Sequence, residues 1–246
     1  MKFLLMTLIF TVLSSCAPGE FSMGADGMMG GDDNPSVDLD SMRRYRVRIT
    51  GIWANPPFVT PGNAHFSSFS GTVHSAAKPL INIASVSSPG FESLAESGNN
   101  TAMNAENKIL VESSSDVLDY YQSSGIAATG DAEFLLTFDE EHSQFSIFTM
   151  IAPSPDWVVG LNAFDFKKTD GTWLSETEYT EIDKSKIAHV DAGTKTGNQF
   201  SLAGSDGGGV IHKLQDDANA DAAHVLNGLN LSDTGFLKVE YRFIEN

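Results

Sequence analysis

Six histidines, one cysteine and 32 Asp and Glu residues hold most of the chemistry available to this 246-residue chain. The histidines (His65, His74, His142, His189, His212 and His224) are scattered, and no two have the spacing of paired ligands on a helix face. Asp139 and Glu141 are the best acids for hydrolysing a surface glycan, yet neighbouring acids beside a strand are ordinarily solvated charge. Asp217, Asn219 and Asp221 have the one-three-five oxygen spacing of a calcium loop, but Ala222 and Gly228 stand where that loop needs Gly and Glu. Nucleophile elbow, phosphate loop, dinucleotide fingerprint and His-Glu-x-x-His are absent. The run Gly207-Gly208-Gly209 has no following helix to orient its amides toward a phosphate, so a mobile loop is expected there. A single cysteine makes neither an internal disulfide nor a thiolate zinc site. The expectation is a protein that is not an enzyme, the alternative being an envelope hydrolase acting on surface glycans.

Lys and Arg number 15, which leaves a formal charge of −17 and excludes a binder driven by phosphate neutralisation; no nucleic-acid partner is expected. With 41% apolar and only 19% charged residues, the polar remainder is largely Ser, Thr, Asn and Gly. That mixture is globular and favours strands and turns over long helices.

The lone cysteine falls at a telling place. Lys2 precedes an apolar run from Phe3 to Leu13, too short to span a bilayer, and Ser14 and Ser15 follow. Leu13-Ser14-Ser15-Cys16 resembles the lipobox of bacterial lipoproteins, which makes residues 1–15 a signal peptide and Cys16 the lipidation site. Ala17 follows where many inner-membrane lipoproteins carry Asp, so an outer-membrane or cell-surface anchor is expected. Residues 16–40 then form a Gly/Met/Asp-rich tether with too little apolar surface to offset the backbone entropy of folding.

From 41 to 246 the pattern is that of one folded domain. Tyr45, Val47 and Ile49 alternate with Arg46, Arg48 and Thr50, and Leu237, Val239, Tyr241 and Phe243 alternate with Lys238, Glu240 and Arg242. Phe134, Leu136 and Phe138 form a third alternating strand, whereas Phe145 to Ile151 reads as a central strand covered on both faces. Phe91, Leu94 and Ala95 share one face of a short helix stopped by Gly98, and Ser115 to Tyr121 is expected to add a helical turn. The fold class is therefore all-β, an antiparallel β-sandwich with one or two short helices in its connections.

One stretch is more specific: Met150-Ile151-Ala152-Pro153-Ser154-Pro155-Asp156-Trp157-Val158-Val159-Gly160 resembles the signature of the spondin domain family. Tyr45-Arg46-Val47 with Gly51-Ile52-Trp53, Asn63 to Ser67 with Gly71 and His74, Leu94 to Gly98, and Val190 to Thr194 resemble further family motifs in the same order. The resemblance implies a sandwich like that of a C2 domain, a role in surface or matrix adhesion, and a structural calcium ion at the loops of one end. Two of the family's ligands carry over as Asp156 and Asp191; the third acidic position holds Lys195. Calcium could persist on Asp156, Asp191, carbonyls and waters with Lys195 turned away. Alternatively, the ammonium could replace the ion with a salt bridge holding the same loops. The partner is expected to be a surface or matrix protein or glycan, with the membrane reached through the lipid. Trp53, Phe58, Phe66 and Phe69 are either an exposed binding patch or core.

Overall fold

The computed structural model describes residues 42–54, 59–214, 231, 233 and 235–245. The signal peptide, Cys16, the tether, Phe58 and the Asp217–Asp221 loop lie outside them.

Chain order sets two sheets against each other. The strands are β1 (Arg43–Gly51), β2 (His65–Phe66), β3 (Phe69–His74), β4 (Val117–Ser123), β5 (Ile126–Ala127), β6 (Asp131–Phe138), β7 (Gln144–Ala152) and β8 (Trp157–Asp165). They continue with β9 (Thr180–Glu181), β10 (Ile187–Asp191), β11 (Lys195–Thr196), β12 (Ser205–Asp206), β13 (His212–Lys213) and β14 (Leu237–Ile244). Helices α1 (Pro89–Ser97) and α2 (Thr101–Ser113) are inserted between β3 and β4. The smaller sheet runs β6-β1-β14-β9; the larger runs β13-β10-β8-β7, and β7 continues into β3-β4 along one part and β2-β5 along another. Every paired strand is antiparallel.

The core explains the two strand patterns. Tyr45, Val47 and Ile49 of β1 and Phe134, Leu136 and Phe138 of β6 face Phe145, Ile147, Ile151, Val159 and Leu161 across the sandwich. Their outward neighbours on the small sheet meet water, hence the alternation. The large sheet is covered on its other face by the helices: Phe91, Leu94, Ala95 and Met103 pack on Phe148, Val158 and Val190. Strand β7 is therefore buried along almost its whole length, with Phe91 meeting Phe148 edge to face at 5.6 Å.

Helix α1 begins as its sequence prescribes. Ser88 Oγ accepts from Phe91 N, Pro89 opens the first turn, and Gly98 closes the helix in the left-handed region at φ 69°. One expectation fails in this region. The segment from Ser115 is not helical: Val117–Ser123 pairs with β3, where Val117 is buried and Asp119 exposed. The helix lies just upstream as α2, which buries only Met103 and Asn107 and so shows almost no apolar stripe. Trp53, Phe66 and Phe69 are fully buried and belong to the core.

Candidate functional site at the β7–β8 turn

Asp156 sits in the turn from β7 to β8, and Ser154 Oγ accepts from Trp157 N at 3.1 Å to hold it. Strand β10 runs beside β8 so that Asp191 stands opposite Trp157, one residue beyond Asp156. The two expected aspartates thus come from adjoining strand ends. Both are buried, Asp156 completely and Asp191 to 4% exposure.

Their hydrogen bonds differ. Asp191 Oδ1 accepts from Gly193 N at 2.7 Å and Oδ2 from Trp157 Nε1 at 3.2 Å. Asp156 Oδ2 accepts from Thr194 N at 2.7 Å, Lys195 N at 2.9 Å and Thr194 Oγ1 at 3.2 Å. Asp156 Oδ1 is sealed from solvent and has no partner. Burial pushes the Asp156 carboxyl above the usual carboxylate range; the amides on Oδ2 oppose this, and the nearby Glu96 carboxylate adds to it.

The loop that reaches Asp156 is tightly constrained. Gly193 has φ 71°, and a Cβ there would lie 2.5 Å from Val210 O, so only glycine fits without movement. Gly207 N donates to Thr194 O and Gly209 N to Gly193 O. The glycine run expected to be a mobile loop is therefore bonded onto the site. A cleft of about 330 Å³ beside it is lined by Val86, Ser87, Glu92, Thr194 and Asp206.

Lys195 is turned away from both aspartates. Its ammonium pairs with Asp206 and lies 3.4 Å from Glu96 Oε2. Asp206 holds the ammonium above its ordinary pKa and is itself held below the usual carboxylate range. Glu96 was not singled out by the sequence, although a signal was present. It is a carboxylate in the last turn of α1, where the helix dipole disfavours negative charge and a cation is needed nearby.

Among the described residues no three His, Cys, Asp or Glu side chains form a ready-made metal cage. The donors do suit a hard cation in kind: oxygens only, one of them buried and unpartnered. The hydrolase alternative finds less support. Asp139 Oδ1 accepts from Glu141 N, His142 N and His142 Nδ1 at 2.8–2.9 Å, which ties a turn instead of facing a second acid. A His74–Ser146 contact of 2.8 Å resembles a nucleophile and base, but both residues are fully buried and bonded to their own framework.

The family model described as Spondin_N matches residues 43–224, which takes in strands β1 to β13 and the site loops and stops short of β14. The chain belongs to the spondin family. It is 29% identical over 195 residues to human spondin-2, covering 76% of this chain and 56% of the relative. It is likewise 29% identical over 182 residues to chicken spondin-1, covering 68% of this chain and 21% of the relative. The chain thus spans about half of one curated spondin and a fifth of the other. Among the described residues no helix is long and apolar enough to cross a membrane.

Proposed function

We propose that the protein is a lipid-anchored binding or adhesion module of the spondin type, displayed at the outer membrane or cell surface through Cys16, with its loop end ordered by a structural calcium ion. Family membership supports the binding role. The sealed, unpartnered Oδ1 of Asp156 is the observation that carries the ion. An uncompensated buried carboxylate is costly, and a cation on Oδ1 relieves that cost while Oδ2 keeps its amide donors. Asp156 and Asp191 would hold the ion, with loop carbonyls and waters completing the shell. Lys195, occupied by Glu96 and Asp206, ties α1 to the β11–β12 hairpin beside it.

Such an ion orders loops and does not catalyse. At about 1 mM free calcium and a dissociation constant of about 0.1 mM, linkage gives roughly 1.4 kcal/mol. The test is a melting comparison of the full chain in calcium and in chelator. Wild type gains stability in calcium, Asp156→Asn does not respond, and Lys195→Asp responds more strongly. An unmoved wild-type midpoint alongside a responsive Lys195→Asp would replace the ion with the ammonium-held loop. Retention of the full chain on intact cells, lost when the sandwich is unfolded, tests the binding role.

A further inference from the structure

All five arginines of a chain with net charge −17 stand on two adjacent strands: Arg43, Arg44, Arg46 and Arg48 on β1 and Arg242 on β14. Arg44, Arg46 and Arg48 occupy the outward positions, alternating with buried Tyr45, Val47 and Ile49, and Arg242 lies directly opposite Arg46. Outward neighbours along a strand are roughly 7 Å apart, and directly opposed like charges repel. A network on this face holds Arg46, Arg48 and Arg242 in place. Arg46 pairs with Glu133 at 2.5 Å, and Tyr179 donates to the same carboxylate. The Tyr179 ring lies 4.0 Å from the Arg48 guanidinium and 5.2 Å from that of Arg242. Glu240 takes Arg48 and Lys238 at 2.9 and 3.1 Å.

That network leaves two guanidiniums unmatched. Among the described residues neither Arg44 nor Arg242 has a carboxylate within ion-pair distance. The Nε of each is sealed without an acceptor. Arg46 and Arg242, with Thr177 and Ile244, line an open depression of about 470 Å³, which Glu245 also borders.

We propose that this face binds a polyanionic glycan, an extended polysaccharide carrying carboxylates at regular intervals, through Arg44 and Arg242 with Arg46 between them. The Arg242 guanidinium, already held against the Tyr179 ring, loses little freedom on taking a carboxylate in two-pronged fashion. A stiff sugar chain with repeated acids suits a repeated row of cations. An acidic polypeptide suits it less, because β1 lies inside the sheet with both edges paired and offers no backbone to a peptide strand. The surface is remote from the calcium site. Trp53 follows β1 and meets Phe200, which also meets Trp157 beside Asp156, so the site lies at the far end of a strand that begins about 30 Å away at Arg44.

The inference rests on the binding role and names its partner's chemistry, but it is independent of the ion. The experiment measures retention of the full chain on immobilised polygalacturonate, in chelator, against dextran and polyglutamate. Wild type is retained on polygalacturonate and released by salt. The double variant Arg44→Gln/Arg242→Gln binds at least tenfold more weakly with an unchanged melting midpoint. Lys186→Gln/Lys213→Gln, the same charge change elsewhere, binds as wild type. Equal retention on dextran, stronger retention on polyglutamate, an unaffected arginine variant or an equally weakened lysine variant would each overturn the assignment. Failure here leaves the calcium melt untouched, and failure of the melt leaves polygalacturonate retention unchanged.

Discussion

The two ends of the β7–β8 hairpin bury polar groups in contrasting ways. At the open end, His74 Nδ1 donates to Ser75 O, so Nε2 accepts from the Ser146 hydroxyl, and Ser146 Oγ accepts from Ala163 N at 2.7 Å. Each of these groups has a partner, all are neutral, and the cluster is complete without anything from outside. At the turn end, Asp156 brings a carboxylate into equal burial and leaves one oxygen unanswered. Complete burial with every bond made marks a framework, whereas complete burial with a bond missing marks a place for a ligand.

The largest test of that contrast removes the complete cluster. Ser146→Val strands His74 Nε2 and the Ala163 amide, and a loss of about 3 kcal/mol follows, the same in calcium and in chelator. For a domain of this size the melting midpoint drops by roughly 6–12 °C, readable by calorimetry. A calcium-dependent loss would mean that the two ends are not independent.

Smaller is the effect of completing the incomplete end. Calcium raises the wild-type midpoint by roughly 3–6 °C, following from about 1.4 kcal/mol, and Asp156→Asn abolishes the response. In chelator the same variant is neutral to slightly stabilising, because it removes a charge the fold does not satisfy. A strongly destabilised Asp156→Asn in chelator would show that the carboxylate is framework after all.

The smallest effect, and the sharpest, is in pH. Burial holds His74 below its ordinary pKa, and His189, also buried, falls from 6.5 to about 4. The unfolded chain therefore binds these protons first, so stability falls as pH drops from about 6.5 toward 4. Asp156 behaves oppositely, since its raised pKa makes the folded state hold the proton. In chelator its contribution declines as pH rises above about 4, and calcium cancels that decline. Subtracting Asp156→Asn melting curves from wild type isolates the second slope; His189→Phe isolates part of the first.

Much of the framework was legible because one physical rule governed it. Strands β1, β6 and β14 alternate because one face is wet, and β7 does not because helices cover it. Helix α1 carried its own stop signals. Helix α2 carried almost none, since it caps a polar surface through Asn107 and Ser70 and buries little else. The short strand β4 read as a helical turn because its pairing with β3 is a long-range event. Asp156 and Asp191 were visible only through the resemblance to known motifs, and nothing local distinguished them from other acids. Glu96 needed the fold itself, because its partner Lys195 comes from a distant segment, and the glycine run is closed down by bonds to Gly193 and Thr194 that no local pattern announces.

The pairing of β1 with β14, from Arg44 opposite Ile244 to Gly51 opposite Leu237, bears on how the molecule reaches this structure. The first strand of the domain finds its neighbour only when nearly the last residue is available. Closing so long a loop is slow, and such topologies fold over milliseconds to seconds. Until then β1 has only β6 for a neighbour, and its other edge stays open. Its outward arginines then act as gatekeepers, their mutual repulsion opposing the edge-to-edge stacking of unfinished chains.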